Sequence, residues 1–134
     1  MDRLNQRIVI ALRALASLEE LSSKPEWSAV ERDALLQRFE YTVEAVWKAA
    51  QRFLSEIEGL EVGSPKASVR ASLQTGVLDE SQARSGLVMI EDRNLTVHTY
   101  DERLAAEIAG RIPDHARLLR AWIQSLAGRT TRPS

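Results

Sequence analysis

Apolar residues recur every three or four positions through most of this chain, and no stretch alternates as a half-buried strand would. The first run carries an apolar face of Leu4, Ile8, Leu12 and Leu15. The sequence SSKP, from Ser22 to Pro25, predicts the end of that helix. A longer run begins near Trp27 and continues to Gly59, which indicates one helix of about 30 residues. These patterns predict an all-α protein.

The segment EGLEVGSPK is the clearest loop in the sequence. Ser64 followed by Pro65 is typical of a helix N-cap with proline in the first helical position, so a short third helix should run to about Thr75. The sequence DESQ at 79–82 has the form of a capping box and predicts the start of a fourth helix.

Thr99 and Glu102 repeat the capping-box spacing and predict a fifth helix. We expect Pro113 to end that helix, with a final helix extending to about Leu126. Long helices joined by short loops favour an antiparallel up-and-down four-helix bundle with an additional short helix. Residues 1–127 should form this single domain, and residues 128–134 a disordered tail.

The composition restricts the function classes open to a chain of 134 residues. It contains no cysteine, which rules out disulfides, thiolate metal sites and a cysteine nucleophile and fits a reducing, cytoplasmic location. No apolar run is long enough to span a membrane. With 18 basic and 19 acidic residues, the chain has no global positive charge to attract nucleic acid. A local basic set fits either a nucleic-acid surface or, more commonly, a solvated helix face: Arg117, Arg120, Arg129 and Arg132.

The stretch DRNLTVHTYDE, from Asp92 to Glu102, gathers side chains that are scarce elsewhere. It holds one of two histidines and one of two tyrosines in the chain. On an unbroken helix Arg93 and His98 would point about 140° apart. A break between Asn94 and Thr99, with Asn94 in the left-handed conformation that ends helices and Thr99 capping the next one, would expose the polar side chains together.

An arginine and a histidine suit phosphodiester chemistry. Histidine can move the proton of an RNA 2′-hydroxyl or of the leaving oxygen, and arginine can hold the phosphoryl oxygens as charge develops. On spacing alone this indication is weak, because a histidine at such a junction is more commonly a capping or packing residue.

Other polar and aromatic residues give weaker indications. His115 has no ligand-spaced partner and is predicted to lie on the surface, while Trp27, Trp47 and Trp122 are predicted to be core residues. Glu40 lies between Phe39 and Tyr41 on the second helix, where it is either solvated or faces a polar groove. The candidate groove consists of Glu40, Trp47 and Lys48.

Three segments together resemble the HEPN-domain proteins of the nucleotidyltransferase substrate-binding type: FEYTVEAVWKAAQRFL, GSPKASVRASLQTGVLD and MIEDRNLTVHTYDERLAAEI. The resemblance covers residues 39–112. It implies a small helical bundle that forms a homodimer and acts with a minimal nucleotidyltransferase (MNT). Where many members carry a tryptophan before the motif, this chain has Ser85 and Gly86, which we expect to loosen the packing there.

Two functions are implied by this resemblance. In the first, the protein is a metal-independent, cofactor-free endoribonuclease and the toxin of a toxin–antitoxin pair, with Arg93, Asn94 and His98 as its active site acting on RNA. The MNT antitoxin then silences the toxin by transferring AMP to Tyr100. In the alternative, the protein is a non-catalytic substrate-binding subunit of a two-component nucleotidyltransferase.

Overall fold

A computed structural model describes residues 2–130, which form five α-helices and one short 3₁₀ turn, with no strand among them. The helices are α1 (Arg3–Ser22), α2 (Ala29–Glu56), α3 (Pro65–Gln74), α4 (Glu80–Leu95) and α5 (Glu102–Thr130). The 3₁₀ turn, Thr96–His98, connects α4 to α5. The long helices α1, α2 and α5 pack against one another, and α3 and α4 lie against α2 and α5. The predicted four-helix bundle with an additional short helix, α3, is confirmed.

Local sequence determines where three of the helices begin. Ser64 accepts a hydrogen bond from the Ala67 backbone N–H, and Pro65 occupies the first turn of α3. Asp79 and Gln82 form the predicted capping box at α4, and Ser28 and Glu31 form another at α2. These contacts satisfy backbone N–H groups that the helices leave without partners.

The start of α5 differs from the prediction. The side chain of Asp101 accepts hydrogen bonds from the backbone N–H groups of Arg103 (3.0 Å) and Leu104 (3.2 Å). Asp101, rather than Thr99, is therefore the capping side chain. It directly precedes the first residue of α5, so its carboxylate reaches these backbone donors.

The predicted end of a helix at Pro113 is also wrong, since α5 continues through this residue to Thr130. A proline inside a helix removes one hydrogen bond and costs roughly 3 kcal/mol. The apolar face of α5 continues on both sides of it, with Ile108 and Ile112 before and Leu119 and Trp122 after, all fully buried. Burial of this face against α1 and α2 offsets the cost.

The predicted tail overlaps the end of α5. The helix includes residues 128–130, and the Arg129 guanidinium donates hydrogen bonds to the backbone carbonyls of Thr75 (3.1 Å) and Gly76 (3.0 Å). The remainder of that prediction, 131–134, lies outside the described residues.

The core contains the three tryptophans as predicted. Trp122 is fully buried, Trp47 is 8% exposed, and Trp27 is half-buried against the core. Gly86 is buried too, and a Cβ atom there would come within 3.1 Å of the Val69 side chain. The expectation of loosened packing at this glycine is therefore wrong, because its missing side chain lets α4 approach α3 closely.

Within residues 2–130, no helix combines the length and the apolar content that crossing a membrane requires.

Candidate functional site

The break between α4 and α5 falls where the sequence predicts it. α4 ends at Leu95, and the 3₁₀ turn Thr96–His98 follows directly. Among the described residues only glycines have a positive φ, so Asn94 does not adopt the left-handed conformation and remains inside α4. The turn is held instead by Thr96, which is buried and whose hydroxyl donates to the Arg93 carbonyl at 2.6 Å.

Arg93 is half-buried and lines a shallow cleft of about 310 Å³ against α2. The other lining residues are Gln37, Glu40, Tyr41 and Glu44. Within residues 2–130 the Arg93 guanidinium forms no hydrogen bond and no ion pair at contact distance, although two carboxylates share its cleft. An arginine in this state retains all its donors for a ligand.

His98 and Tyr100 lie on the exposed side of the junction. The Tyr100 hydroxyl is 3.3 Å from His98 Nδ1, and the two rings meet edge to face with centroids 5.9 Å apart. This hydrogen bond leaves His98 Nε2 without a partner among the described residues. Because Tyr100 is 82% exposed, its hydroxyl is open to solvent and to a partner protein.

The predicted site residues are brought together only in part. A direct contact joins His98 to Tyr100, whereas no described contact joins either side chain to Arg93. Asn94 is exposed on the last turn of α4, next to Arg93 in sequence. The junction therefore presents a histidine–tyrosine pair and, separately, an arginine in a cleft.

The candidate groove on α2 is partly formed. Glu40 lines the cleft at Arg93, and Lys48 lines a second cleft of about 260 Å³. The two clefts share Tyr41 and Glu44 in their linings, so they adjoin along α2. Trp47 is buried beneath them, and its indole N–H donates to Glu44 at 3.0 Å.

A buried polar cluster was missed by sequence reasoning. Asp92, 4% exposed, accepts hydrogen bonds from Arg111 Nε and Nη2, both at 2.8 Å, and lies 2.7 Å from His115 Nε2. The His115 ring stacks on Phe39, with centroids 5.4 Å apart. The predicted surface position of His115 is therefore wrong: because α5 continues through Pro113, His115 falls three residues after Ile112 on the buried face.

Two opposed effects act on the Asp92 carboxyl. Burial tends to raise its pKa, while the hydrogen bonds and charges of Arg111 and His115 lower it, and the net effect is a pKa below the ordinary value. The same ion pair raises the pKa of Arg111. Asp92 is thus a stable carboxylate at neutral pH.

A larger cleft lies elsewhere, between α4 and α5, with a volume of about 470 Å³. Both arginines lining it are already paired, Arg111 with Asp92 and Arg117 with Asp114. Of the other C-terminal arginines, Arg120 pairs with Glu19 and Arg129 binds backbone carbonyls, while Arg132 lies outside the described residues. Arg117, Arg120 and Arg129 are thus engaged within the chain, which disfavours a nucleic-acid surface built on them.

No group of three or more histidine or acidic side chains within residues 2–130 is arranged to hold a metal ion. The cluster at Asp92 has only one carboxylate and one histidine, and an arginine occupies the remaining side of that carboxylate.

Solved structures share this fold. A crystal structure of a protein from Thermus thermophilus superposes with a TM-score of 0.82 at 51% sequence identity, covering 91% of this chain and 99% of that one. A tri-AMPylated Shewanella oneidensis HEPN toxin in complex with MNT antitoxin gives a TM-score of 0.76 at 16% identity, covering 96% and 99%. The toxin–antitoxin MntA-HpeT gives 0.77 at 15% identity, covering 93% and 97%.

Among curated protein sequences, none matches the chain. Residues 6–128 match the family described as "Nucleotidyltransferase substrate binding protein like". This match covers nearly the whole chain, and the structures with the same fold include HEPN toxins. The chain therefore belongs to the nucleotidyltransferase substrate-binding-protein-like family.

Proposed function

We propose that the protein is an endoribonuclease toxin whose active site is the α4–α5 junction. The observation that carries the proposal is that one break in the bundle holds both an arginine with no partner among the described residues and an exposed histidine. The Shewanella oneidensis protein with this fold is a HEPN toxin in complex with an antitoxin, which supports the same role here.

In the proposed reaction the RNA 2′-hydroxyl attacks the adjacent phosphorus. The new P–O2′ bond forms as the P–O5′ bond breaks, leaving a 2′,3′-cyclic phosphate and a 5′-hydroxyl. One group must take the 2′-hydroxyl proton and another must protonate the O5′ oxygen. His98 serves one of these transfers, Arg93 stabilises the phosphoryl oxygens, and the exposed Asn94 amide contacts the substrate.

A homodimer would complete this site. One junction supplies one histidine, and a two-fold axis would bring a second His98 to a shared cleft. Exposed apolar side chains near the junction support an interface there: Val97 is 67% exposed, Val88 53% and Leu95 38%. Apolar side chains with this exposure would leave water in an interface, which favours association there.

AMP transfer to Tyr100 is the proposed means of silencing. The phenolic oxygen attacks the α-phosphorus of ATP, the bond between the α-phosphorus and the bridging oxygen breaks, pyrophosphate leaves and the phenol proton is lost to a base. Because Tyr100 Oη lies 3.3 Å from His98 Nδ1, the new phosphate would sit against the proposed catalytic ring. It would also place negative charge where an RNA phosphate must bind.

The second candidate is a substrate-binding subunit without chemistry of its own. The family description favours it, because it names substrate binding rather than cleavage. Under this proposal the cleft at Arg93 would hold an anionic group of a nucleotidyltransferase substrate. Arg93→Ala would then weaken binding, and His98 would have no chemical role.

Cleavage of RNA by the purified protein in EDTA separates the two candidates. We expect cleavage by the wild-type protein and its loss in Arg93→Ala. The matched control is Arg103→Ala. Arg103 is an exposed arginine in the first turn of α5 that pairs with Glu107, and the protein without it should cleave RNA normally. Absence of cleavage in the wild-type dimer, with intact helical content, would favour the substrate-binding candidate.

A further inference from the structure

We infer that Asp92 is a positioning residue, which fixes the last turn of α4 and thereby the placement of Arg93 and of the turn carrying His98. The inference rests on the proposed function of the junction. Asp92 is the only buried carboxylate among residues 2–130, and both of its oxygens accept hydrogen bonds from α5, three in all. It is also the residue immediately before Arg93.

The connection from this carboxylate to the junction is short. Arg111 and His115 of α5 hydrogen-bond to Asp92. The next residue in the chain is Arg93, whose side chain lines the cleft on α2. The Arg93 carbonyl then accepts the hydroxyl of Thr96, which begins the 3₁₀ turn. The Asp92 carboxylate thus fixes the end of α4, and the Thr96 hydroxyl ties the turn that carries His98 to that end.

A proline inside α5 gives the Asp92 contacts a second role. Pro113 lies between Arg111 and His115 and has no N–H, so the Ala109 carbonyl loses its helical hydrogen bond. The Asp92 carboxylate joins the residues on either side of this weakened turn to α4. Without it, both the turn of α5 and the end of α4 would gain freedom.

A purely stabilising role accounts less well for the cluster. Burying an ion pair is seldom better for stability than burying apolar side chains of similar size. α4 already contributes Ala83, Met89 and Ile90 to the core. The charged cluster lies at the last turn of α4. Its hydrogen bonds are directional, so they specify one orientation of that turn, which apolar contacts would not do.

The chain offers a matched control for this cluster. Glu19 on α1 and Arg120 on α5 form another two-contact carboxylate–guanidinium pair that joins two helices. Neither residue belongs to α4 or to the 3₁₀ turn. Glu19→Gln and Asp92→Asn each remove one carboxylate charge from a forked pair, the first half-exposed and the second buried, and only the second touches the proposed positioning path.

Amide hydrogen exchange of the folded protein tests the inference without relying on activity. In Asp92→Asn, exchange in residues 89–98 should accelerate by about tenfold more than exchange in α1 and α2, which reports only the overall loss of stability, because the additional opening is local. Glu19→Gln should leave residues 89–98 unchanged. Unchanged exchange at the junction in Asp92→Asn, or equal acceleration throughout the chain, would overturn the inference.

RNA cleavage adds the functional readout. For Asp92→Asn we expect kcat to fall by about ten- to a hundredfold while KM stays within about threefold of the wild-type value, because the catalytic groups are displaced. For Glu19→Gln we expect kcat within about twofold of the wild-type value. If Asp92→Asn fails to fold, Arg111→Lys replaces it, because lysine keeps the positive charge and loses the forked contact with Asp92. This variant should show a smaller decrease in kcat with KM again little changed. Wild-type protein that does not cleave RNA would refute the proposed function, and the exchange result would still decide whether Asp92 positions the junction.

Discussion

The two histidines of this chain occupy contrasting environments. His98 is exposed on a 3₁₀ turn and has one long hydrogen bond, to Tyr100. His115 is 6% exposed in α5, stacked on Phe39 and bonded to a buried carboxylate. Burial, the stack on Phe39 and the bond to Asp92 commit His115 to the bundle, whereas His98 keeps Nε2 without a partner among the described residues.

The largest expected effect concerns catalysis by the exposed histidine. His98→Ala should lower kcat/KM for RNA cleavage by about 10²- to 10⁴-fold, because one proton-transfer group is lost. Cleavage of a labelled RNA in EDTA measures it, and circular dichroism should show an unchanged unfolding midpoint. Arg103→Ala, which alters an exposed residue of α5 outside the proposed site and interface, is the control. A folded His98→Ala protein with full activity would contradict the ribonuclease proposal.

The buried histidine should show the reverse behaviour. His115→Ala removes the stack on Phe39 and one hydrogen bond to Asp92 and leaves a cavity. We expect the free energy of unfolding to fall by about 2–4 kcal/mol, as for other truncations of large buried side chains. Urea denaturation measures this loss. His98→Ala in the same assay should change stability by less than about 0.5 kcal/mol, and equal losses in both variants would abolish the contrast.

The cluster around His115 should also give a distinct pH dependence. The folded-state pKa of Asp92 is lowered, so its stabilisation is present above the unfolded pKa of about 4 and is lost as the pH falls through the folded pKa. The wild-type protein should therefore exceed Asp92→Asn in stability at pH 7, by about 1–2 kcal/mol, and the difference should shrink below about pH 4.

Urea denaturation at several pH values between 7 and 3 measures this convergence. Asp114→Asn, which alters an exposed carboxylate on the same helix, is the control and should follow the wild-type protein. A difference between wild type and Asp92→Asn that stays constant down to pH 3 would mean that the carboxylate's charge is not what stabilises the cluster.

Local signals explain which parts of the fold the sequence predicts well. The caps at Ser64 and Asp79 and the break before His98 depend on residues within a few positions of one another. The continuation of α5 through Pro113 depends instead on apolar burial against other helices, which outweighs a local helix-breaking signal.

The same distinction applies to the candidate site. Arg93, Asn94, His98 and Tyr100 are adjacent in sequence, and their grouping is visible there. Asp92 and His115 are 23 positions apart and meet only because α4 packs on α5. A partial signal was present, since His115 follows Ile108 and Ile112 at helical spacing, but using it required knowing that the proline does not end the helix.

The smallest expected effect on cleavage concerns Tyr100, and it is the most informative about regulation. The hydrogen bond from Tyr100 to His98 is exposed and 3.3 Å long, so its loss should matter little. Tyr100→Phe should therefore keep cleavage within about threefold of the wild-type rate, equivalent to less than about 0.7 kcal/mol. The same substitution should abolish AMP addition, because the phenolic oxygen is the proposed acceptor.

Intact-mass spectrometry after co-expression with a cognate minimal nucleotidyltransferase measures the AMP addition. The chain's other tyrosine provides the matched control, since the Tyr41 hydroxyl is engaged with Ser17 Oγ at 2.7 Å. Tyr41→Phe should still gain one or more AMP groups, and Tyr100→Phe none. Tyr100→Phe should also stay toxic beside the partner that silences the wild type. If the partner neutralises both proteins equally and Tyr100 carries no AMP, inhibition acts by binding alone, and the exposed histidine is blocked by a protein surface rather than by a phosphate on its neighbour.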